Sequence, residues 1–227
     1  MKHIVFLTGA GMSAESGIST FRDNGGLWEQ YDVMEVASIE GWYKNPLLIQ
    51  KFYNERRKQL KDVEPNDGHK IIAELEKDFE VSVITQNVDN LHERAGSSRV
   101  IHLHGELTKA CNENKTKVVD IGYRGIEANE KANDGSRLRP FIVWFGEAVP
   151  LIEAAADITA SADTIVIIGT SMQVYPAAGL INYAKKEASL FLIDPSNIEK
   201  YLPRVKIIKE KASIGMKILK EMLYAYS

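Results

Sequence analysis

Polar side chains follow two short apolar runs of this chain, and their types could support acid–base chemistry. Gln86, Asn87 and Asp89 come directly after the run "VSVIT", and the segment "VIHLHG" contains His102 and His104. Imidazole titrates near neutral pH, so either histidine could take a proton from a hydroxyl group. A polar cluster that ends a strand is either a helix N-cap or a ligand site, and Asp89 suits capping of the following "NLHERAG". Alternation places both histidines on one side of the strand, so it does not choose between them.

A glycine-rich turn follows the first apolar run, "HIVFL". Gly9, Gly11 and Ala14 form a G-x-G-x-x-A pattern, with Ser13 and Ser16 beside it. Such glycines permit a tight turn and a close approach of the backbone to phosphate, and the next helix offers free N–H groups to a pyrophosphate. The alternative is a plain turn. A dehydrogenase would also place an acidic residue at the end of a second strand about 20 positions later, and this chain does not.

The elements that must position these residues alternate along the chain. Short apolar, β-branched runs are separated by segments with apolar residues at three- and four-residue spacing. This alternation predicts a doubly wound α/β fold, with a mostly parallel, Rossmann-like sheet and a small inserted module. The predicted strands are 3–9, 81–87, 100–105, 164–171, 190–194 and 205–210, and the predicted helices are 46–60, 67–79, 150–161, 176–188 and 213–226.

Two stretches interrupt the alternation. Residues 30–65 carry helical patterns without a good strand, and residues 109–140 are polar and weakly patterned. We therefore predict one domain over 1–227, in which the two insertions form a small module. The core then comprises 1–29, 66–108 and 141–227. The alternative for 109–140 is a long surface loop with a short hairpin.

The bulk composition excludes several classes of protein. The 227 residues are 44% hydrophobic with a net charge of −3, which gives no general attraction to nucleic acid or to an anionic membrane. No apolar run reaches the roughly 18–20 residues of a membrane helix, and the N-terminus reads as a strand rather than a signal peptide. A cytoplasmic location is expected. The composition does not indicate an oligomeric state.

Five segments carry a family resemblance: "GAGMSAESGISTFRDNGGLW", "TQNVDNLHERAG", "HLHGEL", "VWFGE" and "GTSMQVYPAAGL", in that order. They closely resemble the sirtuins, the NAD-dependent protein deacylases, and "FYNERR" resembles the bacterial members of the class III branch. The resemblance covers nearly the whole chain. It implies that NAD is consumed rather than cycled: nicotinamide is released, and the acyl group of a protein lysine passes to ADP-ribose.

The resemblance also implies the roles of individual residues. His104 would be the base for a ribose hydroxyl and Asn87 the second catalytic residue, while Asn87 and Asp89 hold the nicotinamide and its ribose. Residues 17–28 are a candidate lid. The small residues of "GTS" (169–171) would let the backbone approach the ribose and phosphate of NAD; the alternative is a simple strand-to-helix turn. The segment "LIDPS" differs from that of many sirtuins at Leu192. The predicted NAD contacts are Gly9, Ala10, Gly11, Ser13, Ser16, Phe21, Arg22, Trp28, Gln86, Asn87, Asp89, Gly169, Thr170, Ser171, Asp194 and Ala212.

The acyl-lysine substrate is expected to meet two segments. By resemblance, "VWFGE" (143–147) pairs with the peptide as an added strand, through Phe145, Gly146 and Glu147. The alternative is ordinary core. Tyr53 and Arg56 lie three apart on a predicted helix and match the class III pair that binds the carboxylate of a succinyl or malonyl group. The alternative here is a solvated basic face.

The sequence differs from most sirtuins at their zinc-binding cysteines. Most sirtuins hold a structural zinc with two C-x-x-C pairs, whereas residues 109–140 contain only Cys111 and no histidine. A tetrahedral site with soft ligands cannot be built from these residues, so no bound metal is predicted. Packing must then hold the small module together. The apolar residues available for it are Val118, Val119, Ile121, Tyr123 and Ile126.

Three functions remain open at this point. The first is an NAD-dependent protein-lysine deacylase, acting as desuccinylase, demalonylase or deacetylase. The second is a mono-ADP-ribosyltransferase that uses the same NAD site. The third is a non-catalytic NAD-binding module, and the presence of His104, Asn87 and Asp89 argues against it.

Overall fold

The computed structural model describes residues 1–18, 31–170, 177–196 and 204–225. Four predicted NAD contacts, Phe21, Arg22, Trp28 and Ser171, lie outside the described residues, as does most of the candidate lid. The strands are β1 (His3–Thr8), β2 (Glu80–Thr85), β3 (Val100–His102), β4 (Gly105–Cys111), β5 (Val118–Asp120), β6 (Arg139–Ile142), β7 (Thr164–Ile168), β8 (Ser189–Ile193) and β9 (Val205–Ile208).

Eight α-helices lie within the described ranges: α1 (Ala10–Ser13), α2 (Val33–Val36), α3 (Ile39–Lys44), α4 (Pro46–Asp62), α5 (Asp67–Leu75), α6 (Leu91–Ala95), α7 (Ile152–Ser161) and α8 (Ala212–Ala225). Two 3-10 helices cover Ala14–Ser16 and Ala177–Tyr183. None of the helices in the described ranges is long and apolar enough to cross a membrane.

Six strands form one parallel sheet in the order β3-β2-β1-β7-β8-β9. Both neighbours of β1 run parallel to it, and Ile4 lies opposite Val81 of β2 and Thr164 of β7. The chain moves outward from β1 in one direction and then returns to its other side. This reversal of strand order creates a crevice at the carboxyl ends of β1 and β7, where α/β proteins commonly bind ligands.

Helices cover both faces of this sheet because successive strand residues point to opposite sides. Phe6 packs in one core with residues of α5 and α8, such as Leu75 and Met216. Its neighbour Val5 packs in the other core with α7 and the 3-10 helix at Ala177–Tyr183. Both strand residues are completely buried. The predicted doubly wound α/β fold with a parallel sheet is confirmed.

A second, antiparallel sheet has the order β5-β4-β6 and packs beside helices α2 to α4. β4 spans Gly105–Cys111 and so crosses the predicted border of the core at residue 108. The division into core and module stays a prediction. Ile121 and Ile126 are buried together, as predicted. Val118 and Val119 are each 43% exposed, so their prediction as core residues was wrong: they point to opposite faces of β5, and neither face is covered by the described residues.

Candidate active site

The predicted site residues come together at the carboxyl edge of the parallel sheet. Gly9 follows β1, Gln86 follows β2 and Gly169 follows β7, while His104 lies in the turn between β3 and β4. Because the carboxyl ends of parallel strands meet at one edge, residues far apart in sequence line a common crevice.

The glycine turn packs directly against the turn after β7. Gly9 donates its backbone N–H to the carbonyl of Ile168 over 3.0 Å, and Gly11 donates to that of Gly169 over 2.8 Å. A β-carbon on Gly9 would stand 2.8 Å from the Gly169 oxygen, which is too close for any real side chain. These glycines are therefore required by the approach of two backbone segments to each other, in addition to any approach to phosphate.

The helix after this turn is short. α1 has four residues, and the chain continues as a 3-10 helix. Asn66, which the sequence analysis missed, holds this segment: its Nδ2 donates to the carbonyl of Met12 over 2.8 Å and to Ser16 Oγ over 3.1 Å. Its Oδ1 accepts from the N–H of Gly68 and caps α5. The N-cap position before α5 is the signal that could have identified it.

Asn87, Ser13 and Asp89 form a buried hydrogen-bonded chain. Asn87 Nδ2 donates to Ser13 Oγ over 3.0 Å and to the Gly9 carbonyl over 3.0 Å. Ser13 Oγ donates to Asp89 Oδ2 over 2.9 Å, and Asp89 Oδ1 accepts from the Leu91 N–H, which is the predicted capping contact. Burial raises the pKa of Asp89, although the hydrogen bonds from Leu91 and Ser13 oppose this rise. These hydrogen bonds connect the glycine turn to the loop after β2.

The two histidines hold neighbouring carbonyls of that loop. His104 Nδ1 lies 3.1 Å from the Gln86 carbonyl oxygen, and His102 Nδ1 lies 2.9 Å from that of Asn87. A carbonyl only accepts, so Nδ1 carries the proton in each ring. Burial lowers the pKa of His104, with the bond to Gln86 opposing. His104 is therefore a neutral imidazole at neutral pH, and its Nε2 is the basic nitrogen.

His102 differs from His104 at its second nitrogen. Its Nε2 lies 2.7 Å from Glu93 Oε1 on α6. Burial alone would lower the pKa of His102, but the hydrogen bond and charge of Glu93 and the Asn87 carbonyl outweigh it and raise the pKa. Both nitrogens face acceptors, so the doubly protonated ring is the form of His102 that satisfies both bonds. Of the two rings, only His104 has the tautomer and charge state of a base.

Three other predicted NAD contacts line the same edge. Gln86 Nε2 donates to Thr170 Oγ1 over 3.1 Å, which joins the loops after β2 and β7. Asp194 follows β8, and its Oδ1 accepts from the N–H of Ser196. Ala212 is buried at the start of α8. Asp194 thus follows the carboxyl end of β8, and Ala212 follows that of β9.

Tyr53 and Arg56 lie on α4, which Asn45 caps by accepting from the N–H of Leu48. Tyr53 is buried, and its hydroxyl accepts from Trp144 Nε1 over 3.1 Å. Burial raises the pKa of Tyr53 to about 12, with the charge of Arg56 opposing. The Arg56 guanidinium is half-buried and lies 5.7 Å from the Phe52 ring centroid. Arg56 therefore does not belong to a freely solvated basic face.

The segment 143–147 is bonded to the small module. Phe145 donates its N–H to the Ala37 carbonyl over 2.9 Å and accepts from the Ile39 N–H over 3.0 Å, while its ring is 45% exposed. Gly146 has a φ of +88°, and a β-carbon there would stand 2.8 Å from Ile39. Trp144 is buried, as the core interpretation predicts.

The carboxylate of Glu147 is fully engaged within the protein. It accepts from both terminal nitrogens of Arg139 at 3.0 Å, from Lys115 Nζ at 2.7 Å and from the Trp144 N–H at 2.9 Å. Arg139 in turn stacks on the Trp144 ring at 3.7 Å. These contacts show that the Glu147 side chain holds the 143–147 segment in place; its predicted contact with the substrate stays a prediction.

Cys111 is buried at the end of β4, and its Sγ lies 3.9 Å from the Pro140 carbonyl oxygen. Within the described ranges there is no group of three or more His, Cys, Asp or Glu side chains placed to hold a metal ion. Next to Cys111, Asn112 Nδ2 donates to Asp134 Oδ2 over 2.6 Å and to Thr116 Oγ1 over 2.9 Å. This buried amide joins two turns of the small module.

The sequence profile of the Sir2 family matches residues 9–176, so the chain belongs to the Sir2 family. The matched range includes the glycine turn, the loop after β2, both histidines and the turn after β7. The family and the sirtuin resemblance are therefore confirmed.

Two relatives are similar over almost their entire length. The NAD-dependent protein deacylase of Bacteroides thetaiotaomicron is 55% identical over 230 residues, covering 98% of each chain. The NAD-dependent protein deacylase of Helicobacter pylori is 53% identical over 220 residues, covering 96% of each chain.

Two solved structures share the fold. A Sir2 homologue in complex with NAD has a TM-score of 0.88 and 36% identity, covering all of this chain and 91% of that one. A Sir2 variant with a deacetylated p53 peptide and 3′-O-acetyl ADP-ribose has a TM-score of 0.81 and 28% identity, covering 96% of this chain and 92% of that one.

Proposed function

We propose that this chain is an NAD-dependent protein-lysine deacylase, which releases nicotinamide and transfers the acyl group of a lysine side chain to ADP-ribose. The family, the two deacylase relatives and the solved complexes with NAD and with an acetylated ADP-ribose support this proposal. The donor set at the carboxyl edge fits NAD, because it combines a neutral imidazole, a carboxamide and hydroxyls beside a glycine turn. A cytoplasmic location belongs to the same proposal.

The hydrogen bond from His104 Nδ1 to the Gln86 carbonyl is the observation that carries the proposal. It fixes the tautomer in which Nε2 is unprotonated, and burial keeps the ring neutral at physiological pH. Bound NAD supplies the electrophilic ribose carbon for the acyl oxygen of the substrate. His104 Nε2 takes the proton of a ribose hydroxyl, and Asn87, Ser13 and Asp89 orient the nicotinamide end.

We also propose that the acyl group is acidic, a succinyl or malonyl group. The half-buried Arg56 guanidinium offers a planar, permanently charged fork to a carboxylate, and the Tyr53 hydroxyl can donate its own proton while it accepts from Trp144. Tyr53 and Arg56 are three residues apart on α4, so they lie on one face of this helix. The acylated lysine of a protein reaches them past the exposed Phe145 ring and Gly146.

A nicotinamide-release assay with acetyl-, succinyl- and malonyl-lysine peptides tests this function. We expect release that depends on the acyl peptide, with the acidic acyl groups preferred. Transfer of label from NAD to protein would instead indicate an ADP-ribosyltransferase. Binding of NAD without turnover would indicate a non-catalytic module.

A further inference from the structure

We propose that Glu93 and His102 form a positioning pair that holds Asn87 in the geometry that the reaction needs. This inference rests on the proposed deacylase function. It concerns residues that lie one layer behind the nicotinamide end of the site, on β3 and α6.

The pair is continuous from the surface to the site. Glu93 has a side-chain exposure of 39% and His102 of 6%, and their closest atoms are 2.7 Å apart. His102 then donates from Nδ1 to the Asn87 carbonyl over 2.9 Å. An exposed carboxylate thus acts on the backbone of a site residue through one buried ring.

Asn87 is held at three different atoms. Its backbone N–H donates to Thr85 Oγ1 over 3.0 Å, and its Nδ2 binds Ser13 and the Gly9 carbonyl. The carbonyl bond from His102 is the remaining anchor. Loss of this anchor frees the peptide plane that follows Asn87, and so loosens the position of the α-carbon that carries the carboxamide. Small displacements of a positioned group can reduce turnover strongly.

The charge of His102 is part of this arrangement. A neutral ring has one N–H, so it cannot donate to the Asn87 carbonyl and to Glu93 at the same time. The charge of Glu106 also raises the pKa of His102. Asp89 and His92 are the other titratable groups nearby, and the charge of His102 lowers the pKa of each. Burial would raise the pKa of Glu93, but the hydrogen bond from His102 lowers it, which keeps the carboxylate ionised.

The test compares Glu93→Gln with Glu64→Gln. Glu64 pairs with Arg94 of helix α6 at 2.8 Å, whereas His102 pairs with Glu93, so Glu64→Gln is a matched loss of one ion pair of α6. For Glu93→Gln we expect kcat at pH 8 to fall about threefold to tenfold, with KM for NAD and peptide unchanged, because a neutral ring still donates from Nδ1 to the Asn87 carbonyl but without the assistance of its charge. Between pH 6 and pH 8, the kcat of Glu93→Gln should lack the step that titration of His102 gives the unchanged protein, because without Glu93 burial lowers the pKa of the ring. Glu64→Gln should match the unchanged protein at both pH values.

The outcomes distinguish the proposed deacylase function from the positioning role of Glu93 and His102. If the unchanged protein shows no acyl-dependent release, the proposed function fails, and the positioning role fails with it. If the unchanged protein is active and Glu93→Gln has the same kcat and pH profile, only the positioning role is overturned. A pH profile of the same shape in Glu93→Gln and in the unchanged protein would contradict the role of the charge. A second variant, His102→Gln, keeps one N–H donor and should retain more activity than His102→Ala.

Discussion

Gly11 and Gly169 meet backbone to backbone, with the N–H of Gly11 bonded to the carbonyl of Gly169 over 2.8 Å. A β-carbon on Gly11 would stand 2.6 Å from the Gly169 α-carbon, and Gly169 itself has a φ of +58°. The contact joins the turn after β1 to the turn after β7. The crevice at the sheet edge therefore has a floor made of two glycine-containing turns.

We expect Gly169→Ala to destabilise the protein by several kcal/mol, on the order of 3, and to weaken NAD binding, because the new methyl group meets the Gly11 backbone. Gly122→Ala is the control: its φ is +54°, but nothing lies within 4 Å of the new β-carbon. The control should cost only about 1 kcal/mol. Urea unfolding and calorimetric titration with NAD measure both effects, and equal losses in the two variants would contradict the close contact.

We expect His104→Ala to reduce kcat by about 10²- to 10⁴-fold, because the general base is removed. The fold should survive, since the ring is half-buried and its described bond is to one carbonyl. Nicotinamide release measures the loss, while circular dichroism and NAD titration check that the protein is folded and binds. Full activity in this variant would remove His104 as the base.

We expect Arg56→Met to remove desuccinylation and to spare deacetylation, because the aliphatic side chain keeps the packing and loses the carboxylate partner. Lys58→Met changes an exposed cation on the same helix and should leave both activities intact. Peptide assays with the two acyl groups give the ratio directly. Equal loss of both activities in Arg56→Met would contradict a role in carboxylate binding.

Because two histidines are buried, we expect the folded protein to lose stability at acidic pH. His69 and His92 pack with ring centroids 4.8 Å apart, and burial lowers the pKa of His69 to about 4, with the charge of Glu93 opposing. The folded state therefore binds fewer protons than the unfolded state below pH 6.5. Stability that is fully present above pH 6.5 should be lost as the pH falls toward 4, by on the order of 3 kcal/mol for His69.

Urea unfolding at pH 7.5, 5.5 and 4.5 measures this slope. His69→Leu removes one titrating ring from the buried pair, so its stability should depend less on pH over the same range. An unchanged slope in the variant would show that other groups cause the acid sensitivity.

The small module should not depend on a metal. Incubation with a chelator is expected to leave its unfolding temperature unchanged, because residues 109–140 contain one cysteine and no histidine. Asn112→Ala should lower stability by about 1–3 kcal/mol, since the buried amide bonds Thr116 and Asp134. Asn114→Ala changes an exposed residue of the same turn and should cost little. A chelator-induced fall in the unfolding temperature would contradict a metal-free module.

Periodicity located every strand of the parallel sheet, because these strands are continuous apolar runs bounded by polar residues. It could not choose between His102 and His104, since both rings approach the same loop through Nδ1. What separates them is Glu93, and only the packing of α6 beside β3 brings that carboxylate to His102. The family resemblance selected His104 without this physical reason.

Two other features depend on contacts that are distant in sequence. Asn66 holds the segment after the glycine turn, although more than one helix separates the two. Val118 and Val119 look like core residues, because they are β-branched and adjacent to each other. They are exposed because neither face of β5 is covered by another element in the described part of the chain, and such covering cannot be read from a local pattern.

The position of β1 has a consequence for synthesis of the chain. β1 is completed at Thr8, yet its neighbour β7 begins at Thr164, which is synthesised 156 residues later. During that interval one edge of the first strand stays open, and its apolar side chains lack half of their final covering. Nascent polypeptides arrested before β7 should therefore bind chaperones, and those arrested after it should be released.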